Sequence, residues 1–153
     1  MDNPKAITIA DVMTKSVISV DASITINEAA KMMEDAKVGA MIVMENNLPI
    51  GIVTDRDFAV KVVAHAYQIS TPIKQIMSSP LFSVSSSDSI RIASDLMHDR
   101  GIRKLPVIDD DNLVGIITST DIVRLLAVCT EDDMRDMYFH SVAKIFSNYS
   151  PYN

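Results

Sequence analysis

The chain has 153 residues, 48% of them apolar and 22% charged, with a formal net charge of −6. That length suits one ordinary domain or two half-sized units sharing a core, and the apolar share belongs to a folded chain rather than a disordered one. The acidic balance argues against general nucleic-acid binding, where basic patches supply most of the affinity, and a single cysteine, Cys129, excludes an intrachain disulfide and a thiolate metal cluster.

The opening residues carry no long apolar run of the signal-peptide kind. No later segment approaches the ~20 apolar residues that cross a bilayer, so the expectation is a cytoplasmic chain without a membrane partner. Residues 17–20 form a short β-branched run. A helix follows, its apolar face set by Ile26, Ala29, Ala30 and Met33 at i, i+3, i+4 and i+7. The aliphatic run 39–44, the polar turn Glu45, Asn46 and Asn47, and the run 50–54 make a hairpin. Phe58, Val62 and Val63 mark a second helix.

After a connector containing Pro72, the plan returns: strand 81–84, then a helix bearing Ile90, Ala93, Leu96 and Met97, with Gly101 as its stop. Strand 105–108, a turn at 109–112, strand 114–118 and helix 122–128 complete it. Both strands of each hairpin are apolar without clean alternation, which predicts that both sheet faces are covered. Beyond lies an amphipathic segment with Thr130 as N-cap and Met134, Met137, Tyr138, Ser141, Val142, Ile145 and Tyr149 at helical spacing, ended by Pro151. Two uses are open to it: packing on the preceding module, or contact with a second copy or another partner. Most of the ten methionines fall on these periodic positions, which reads as core filling.

The second set of elements is a copy of the first. Residues 11–63 align without a gap on 75–127, 64 positions on, with 13 of 53 pairs identical. Met13 falls on Met77, Val20 on Val84, Ala29 on Ala93, Gly51 on Gly115, Thr54 on Thr118 and Asp57 on Asp121. A tandem duplication implies two similar units that can pack about a pseudo-twofold axis, with a ligand site between copies.

The motif that carries chemistry is Gly51-Ile52-Val53-Thr54-Asp55-Arg56-Asp57, repeated as Gly115-Ile116-Ile117-Thr118-Ser119-Thr120-Asp121. Each lies where a strand ends and a helix begins. A carboxylate there can accept hydrogen bonds from both hydroxyls of a ribose, and a Thr hydroxyl adds a donor or acceptor. The same spacing is also close to a helix capping box, which needs no ligand. The basic residues beside these motifs are Arg56, inside the first, and Arg103 and Lys104, which open the second hairpin, and a guanidinium suits phosphate.

Asp11-Val12-Met13-Thr14, Gly101-Ile102-Arg103-Lys104-Leu105-Pro106-Val107-Ile108-Asp109 and the two Gly-Ile-x-Thr-x-x-Asp segments together resemble a tandem pair of CBS (cystathionine β-synthase) domains, a Bateman module. The resemblance implies a mixed α/β fold of two βαββα repeats (9–66 and 73–129) followed by a C-terminal helix extension over 130–153. It implies a stand-alone regulatory sensor of adenine nucleotides (AMP, ADP or ATP), with S-adenosylmethionine or another adenosyl ligand as the alternative. No prosthetic group is implied, a homodimer is, and the regulated protein partner stays unnamed. One cleft would use Thr54, Arg56 and Asp57, faced by Ser78, Phe82, Ile102, Arg103 and Lys104. The other would use Thr118, Thr120 and Asp121, faced by Thr14, Ile18, Val38, Gly39 and Ala40. Gly39 and Ala40 stand where copy two has Arg103 and Lys104, so the Asp57 cleft is expected to hold a phosphorylated ligand more tightly.

Catalysis is not expected. His65, His98 and His140 are isolated, Cys129 has no His at a recognisable spacing, and Asp109, Asp110 and Asp111 read as a solvated turn rather than a calcium loop. Against the sensor stands a ligand-independent assembly module acting through its surface.

Overall fold

The computed structural model describes residues 7–125, 127–128 and 131–147. They fall into two compact units: Val17–Phe82, and the described residues of Met1–Ser16 together with Ser83–Asn153. Each unit thus combines most of one sequence copy with the segment that opens the other.

In the Val17–Phe82 unit the order is β1 (Ser19–Asp21), α1 (Ile26–Ala36), β2 (Ala40–Glu45), β3 (Leu48–Thr54) and a short α2 (Asp55–Asp57) that continues as a π-helical turn, Phe58–Val63. Thr25 starts α1: its hydroxyl accepts from Glu28 N at 3.2 Å, and the Glu28 carboxylate accepts from Thr25 N at 2.8 Å. Those bonds, from the Thr25 backbone and then its hydroxyl, hold the Glu28 carboxyl below its usual range. Ile26, Ala29 and Met33 are buried as the spacing predicts, whereas Ala30 is exposed at the edge of that face. Lys37 ends the helix in the left-handed region (φ 53°), where copy two has Gly101 (φ 62°).

The β2–β3 hairpin turns through Asn46 and Asn47, both at positive φ, as a two-residue turn of this hand requires. β1 runs parallel to β2, so the sheet order is β1-β2-β3. Met41, Val43 and Val53 from the sheet, Ile26, Ala29 and Met33 from α1, and Ile73 and Ile76 from the connector form one buried cluster.

The second unit repeats this plan with α3 (Ile90–Arg100), β4 (Lys104–Asp109), β5 (Asn112–Thr118) and α4 (Ser119–Leu125). The strand expected over 81–84 is reduced to one parallel bridge, Val84 to Val107. The cause is Pro106. In the first unit Ile42 N donates to Ile18 O at 3.0 Å; Pro106 stands at the position of Ile42 and has no N–H to give. The helix expected over 122–128 ends at Leu125, with 127 and 128 in a turn.

α5 (Glu131–Met137), a π-helical turn (Tyr138–Val142) and α6 (Ala143–Phe146) follow. Of the two uses open to this segment, packing on its own unit is what the structure shows. Lys144 pairs with Asp95 of α3, His98 Nδ1 lies 2.8 Å from Lys144 O, and Ser141 and Ile145 are buried. Cys129, Thr130, Tyr149 and Pro151 lie outside the described residues.

Candidate functional site

Each unit carries the same local device. The end of β3 is crossed by the connector: Ile52 N donates to Ser78 O at 3.2 Å, and Ser78 N donates to Ile52 O at 2.8 Å. In the other unit Thr14 and Ile116 exchange the equivalent pair, both at 2.9 Å. Glycine permits the approach. A Cβ on Gly51 would stand 2.5 Å from Met77 Sδ and 3.0 Å from Ser78 O, and one on Gly115 would stand 2.6 Å from Met13 Sδ and 3.0 Å from Thr14 O. The repeated Met and Gly of the sequence are therefore one contact, made twice, between each strand and the segment that opens the other copy.

This crossing brings a hydroxyl, Ser78 or Thr14, to the strand end from which the Thr–Asp pair projects. Thr54 donates to Asp57 Oδ2 through its backbone N at 2.8 Å and its hydroxyl at 2.9 Å. Thr118 does the same to Asp121 Oδ2, at 2.9 and 2.8 Å, and Asp121 N returns a bond to Thr118 Oγ1 at 3.2 Å. Both Asp residues are buried. The capping role foreseen for this spacing is thus present in both copies, and it engages one carboxylate oxygen of each.

The second oxygens differ. Asp57 Oδ1 takes Lys61 Nζ at 2.9 Å and the Ser78 hydroxyl at 3.3 Å. Lys61 Nζ also donates to Ile76 O at 2.7 Å. Among the described residues, Asp121 Oδ1 has only Arg124 Nη1 within the salt-bridge range, at 3.9 Å, on a side chain that is 78% exposed. Leu125 stands at the position of Lys61.

Lys61 was not among the residues read from sequence, although an Asp-to-Lys spacing of four on a helix is a usable signal. Of those that were, Thr54, Arg56, Asp57, Ser78, Phe82, Ile18, Val38, Gly39 and Ala40 share the Val17–Phe82 unit. Ala40 is the register partner of Thr54, and Asp55 N donates to Gly39 O at 3.3 Å. Thr118, Thr120, Asp121, Thr14, Ile102, Arg103 and Lys104 share the other unit, where Lys104 is the register partner of Thr118 and Ser119 N donates to Arg103 O at 2.9 Å. Arg56 and Thr120, one residue before each Asp, are exposed. The Arg103 guanidinium is stacked 4.8 Å from the centroid of the Phe146 ring, a contact that needed the terminal helix to be seen. The run Asp109 to Asp111 is divided by its turn: Asp110 and Asp111 occupy the positive-φ positions, and Asp109 accepts from Ser85 Oγ and Ser86 N.

Among the described residues no helix is long and apolar enough to cross a membrane, and no group of three or more His, Cys, Asp or Glu could hold a metal ion.

The CBS domain-containing protein YhcV of Bacillus subtilis is 40% identical over 114 residues, which cover 74% of this chain and 81% of that protein. The crystal structure of the CBS domain pair of protein MJ0100, in complex with 5′-methylthioadenosine and S-adenosyl-L-methionine, superposes with a TM-score of 0.72 at 28% identity, covering 78% of this chain and 98% of that one. Hypoxic Response Protein I, solved with two coordinated zinc ions, gives 0.69 at 29% identity over 78% of this chain and 98% of its own. The CBS domain family model matches residues 9–64 and again 73–128. Those two matches coincide with the duplicated text and with the recurring Thr–Asp pairs, and the chain belongs to the CBS domain family as a tandem pair.

Proposed function

We propose that the chain is a non-catalytic regulatory module that binds an adenosyl ligand at its Thr–Asp pairs and passes the binding on to a partner. The observation that carries this reading is the twofold occurrence of a buried carboxylate whose Oδ2 is held by a Thr, so that the cap itself does not use Oδ1. A carboxylate held in place by its own helix start is pre-organised to accept from a vicinal diol. The adenosyl compounds bound to the related MJ0100 pair support the same ligand class. Arg56, Arg103 and Lys104 supply cations for a phosphate, which favours AMP, ADP or ATP within that class.

The test is calorimetry and thermal shift with AMP, ADP, ATP, S-adenosylmethionine and 5′-methylthioadenosine. A ligand at 100 times its Kd adds about 2.7 kcal/mol of stability. At least one of the five is expected to bind the wild type, and the double variant Asp57→Asn, Asp121→Asn to lose it. Silence of all five would leave the assembly-module reading in possession. That second reading has its own support in the exposed apolar side chains Val60, Val63, Tyr67 and Ile69, which suit self-association into the homodimer we propose alongside. Light scattering after gel filtration decides the copy number.

A further inference from the structure

The two Thr–Asp pairs share their cap and differ in what meets the second carboxylate oxygen. With the 64-residue offset, Thr54 maps to Thr118, Asp57 to Asp121, Ser78 to Thr14 and Lys61 to Leu125. Lys61 Nζ sits on Asp57 Oδ1 at 2.9 Å, is held there by Ile76 O at 2.7 Å, and has the Ser78 hydroxyl at 3.4 Å. Its side chain is one-third exposed, so the ammonium is partly withdrawn from water and depends on these acceptors. On the other side Leu125 offers no charge, and Arg124 at 3.9 Å is beyond hydrogen-bond length and almost fully solvated.

We infer that Lys61 is the residue that makes the two pairs unequal toward a vicinal diol, acting as a built-in competitor for Asp57 Oδ1. The inference rests on the diol-binding reading above. A hydroxyl donating to Asp57 must displace the ammonium from Oδ1 or share that oxygen with it. Sharing weakens the new bond, because the carboxylate charge is already neutralised. Displacement leaves the ammonium with Ile76 O and Ser78, two neutral acceptors in place of a carboxylate. A hydroxyl donating to Asp121 displaces nothing that is tightly held. The Asp121 pair therefore fills first, and the Asp57 pair follows at higher ligand concentration. This order, for ligands that lack a phosphate, is the reverse of the one expected for phosphorylated ligands from the placement of Arg103 and Lys104 in the sequence.

The experiment exchanges the residues at 61 and 125 in both directions, in the full chain, with 5′-methylthioadenosine as probe because it offers a diol and no phosphate to any cation. Isothermal calorimetry is run on the wild type, Lys61→Met, Leu125→Lys, and each of these with Asp57→Asn or Asp121→Asn to assign the sites. In the wild type the tighter site is expected to vanish with Asp121→Asn and to survive Asp57→Asn. Lys61→Met is expected to tighten the Asp57 site about tenfold, the scale of one charge-assisted hydrogen bond. Leu125→Lys is expected to weaken the Asp121 site by a similar factor, and circular dichroism verifies that each variant is folded. Should Lys61→Met fail to fold, the Leu125→Lys arm and the wild-type site assignment still decide. Equal wild-type sites, or exchanges that leave both affinities unmoved, overturn the role of Lys61 while the diol reading stands. No heat with 5′-methylthioadenosine in any variant overturns the role of Lys61, while the diol reading is decided by the four other ligands.

Discussion

Met77 Sδ lies 2.5 Å from where a Cβ on Gly51 would stand, and the same thioether–glycine contact recurs between Met13 and Gly115 at 2.6 Å. The glycine lies mid-strand, paired with Val43 across β2–β3, and its φ is unexceptional. Its absence of a side chain, not its backbone freedom, is what the site uses.

Gly51→Ala is therefore expected to destabilise the chain by about 1–3 kcal/mol through overpacking. The thioether can swing aside, but Ser78 O at 3.0 Å is backbone and cannot. Urea unfolding of Gly51→Ala, Met77→Ala and the double variant checks this. The double variant should lose less than the sum of the singles, since removing Met77 opens the room that the new methyl needs. Strict additivity would show that the contact is not shared.

A second expectation concerns acid. Hydrogen bonds from Ser86, through its side chain and then its backbone, and from the Ser85 hydroxyl hold the Asp109 carboxyl below its usual range. A depressed folded-state value means the unfolded chain takes up the proton first. The stabilising contribution is complete above the ordinary Asp value of ~3.9 and is lost as pH falls through the lower, folded value. Asp109→Asn should lower the urea midpoint at pH 6, and the gap from wild type should narrow below about pH 4. A gap that is constant with pH would refute it.

The terminal helix supplies the third. Ile145 is buried in its packing on α3, and Ile145→Ala is expected to cost about 2–5 kcal/mol. Phe146 is half-buried beneath Arg103, an exposed cation, so Phe146→Ala is expected to cost less, about 1–2 kcal/mol. Thermal unfolding of the pair, Ile145→Ala well below Phe146→Ala, would agree with a segment that is part of its unit. Two variants indistinguishable from wild type would mean that it is not.

Much of this was legible in the residues alone. The duplication, the helix facing of Ile26, Ala29 and Met33, the stop at Gly101 and both hairpins follow from spacing and turn chemistry, because those signals are local. Thr54 with Asp57 and Thr118 with Asp121 were legible as pairs, but the choice between cap and ligand group was not, since the same atoms serve both uses. What escaped was set by contacts distant in sequence. Pro106 reads as a strand residue until one asks which N–H the neighbouring strand needs. Lys61 reads as a solvated charge until Ile76 and Ser78, some 15 residues on, are brought to it. Arg103 reads as a cation suited to phosphate, but its stacking on Phe146, 43 positions away in the text and 4.8 Å away in space, is not visible in the text.

The division into Val17–Phe82 and the remainder does not fall where the sequence copies meet. Ile9, Met13 and Thr14 complete the core and strand edge of the later copy, while Ile73, Ile76 and Ser78 do so for the earlier one. A single ancestral copy, translated alone, would carry a lead segment with no home in its own body and an open strand edge in want of one. It would close only by borrowing from a neighbour; in the tandem chain that neighbour is the other copy.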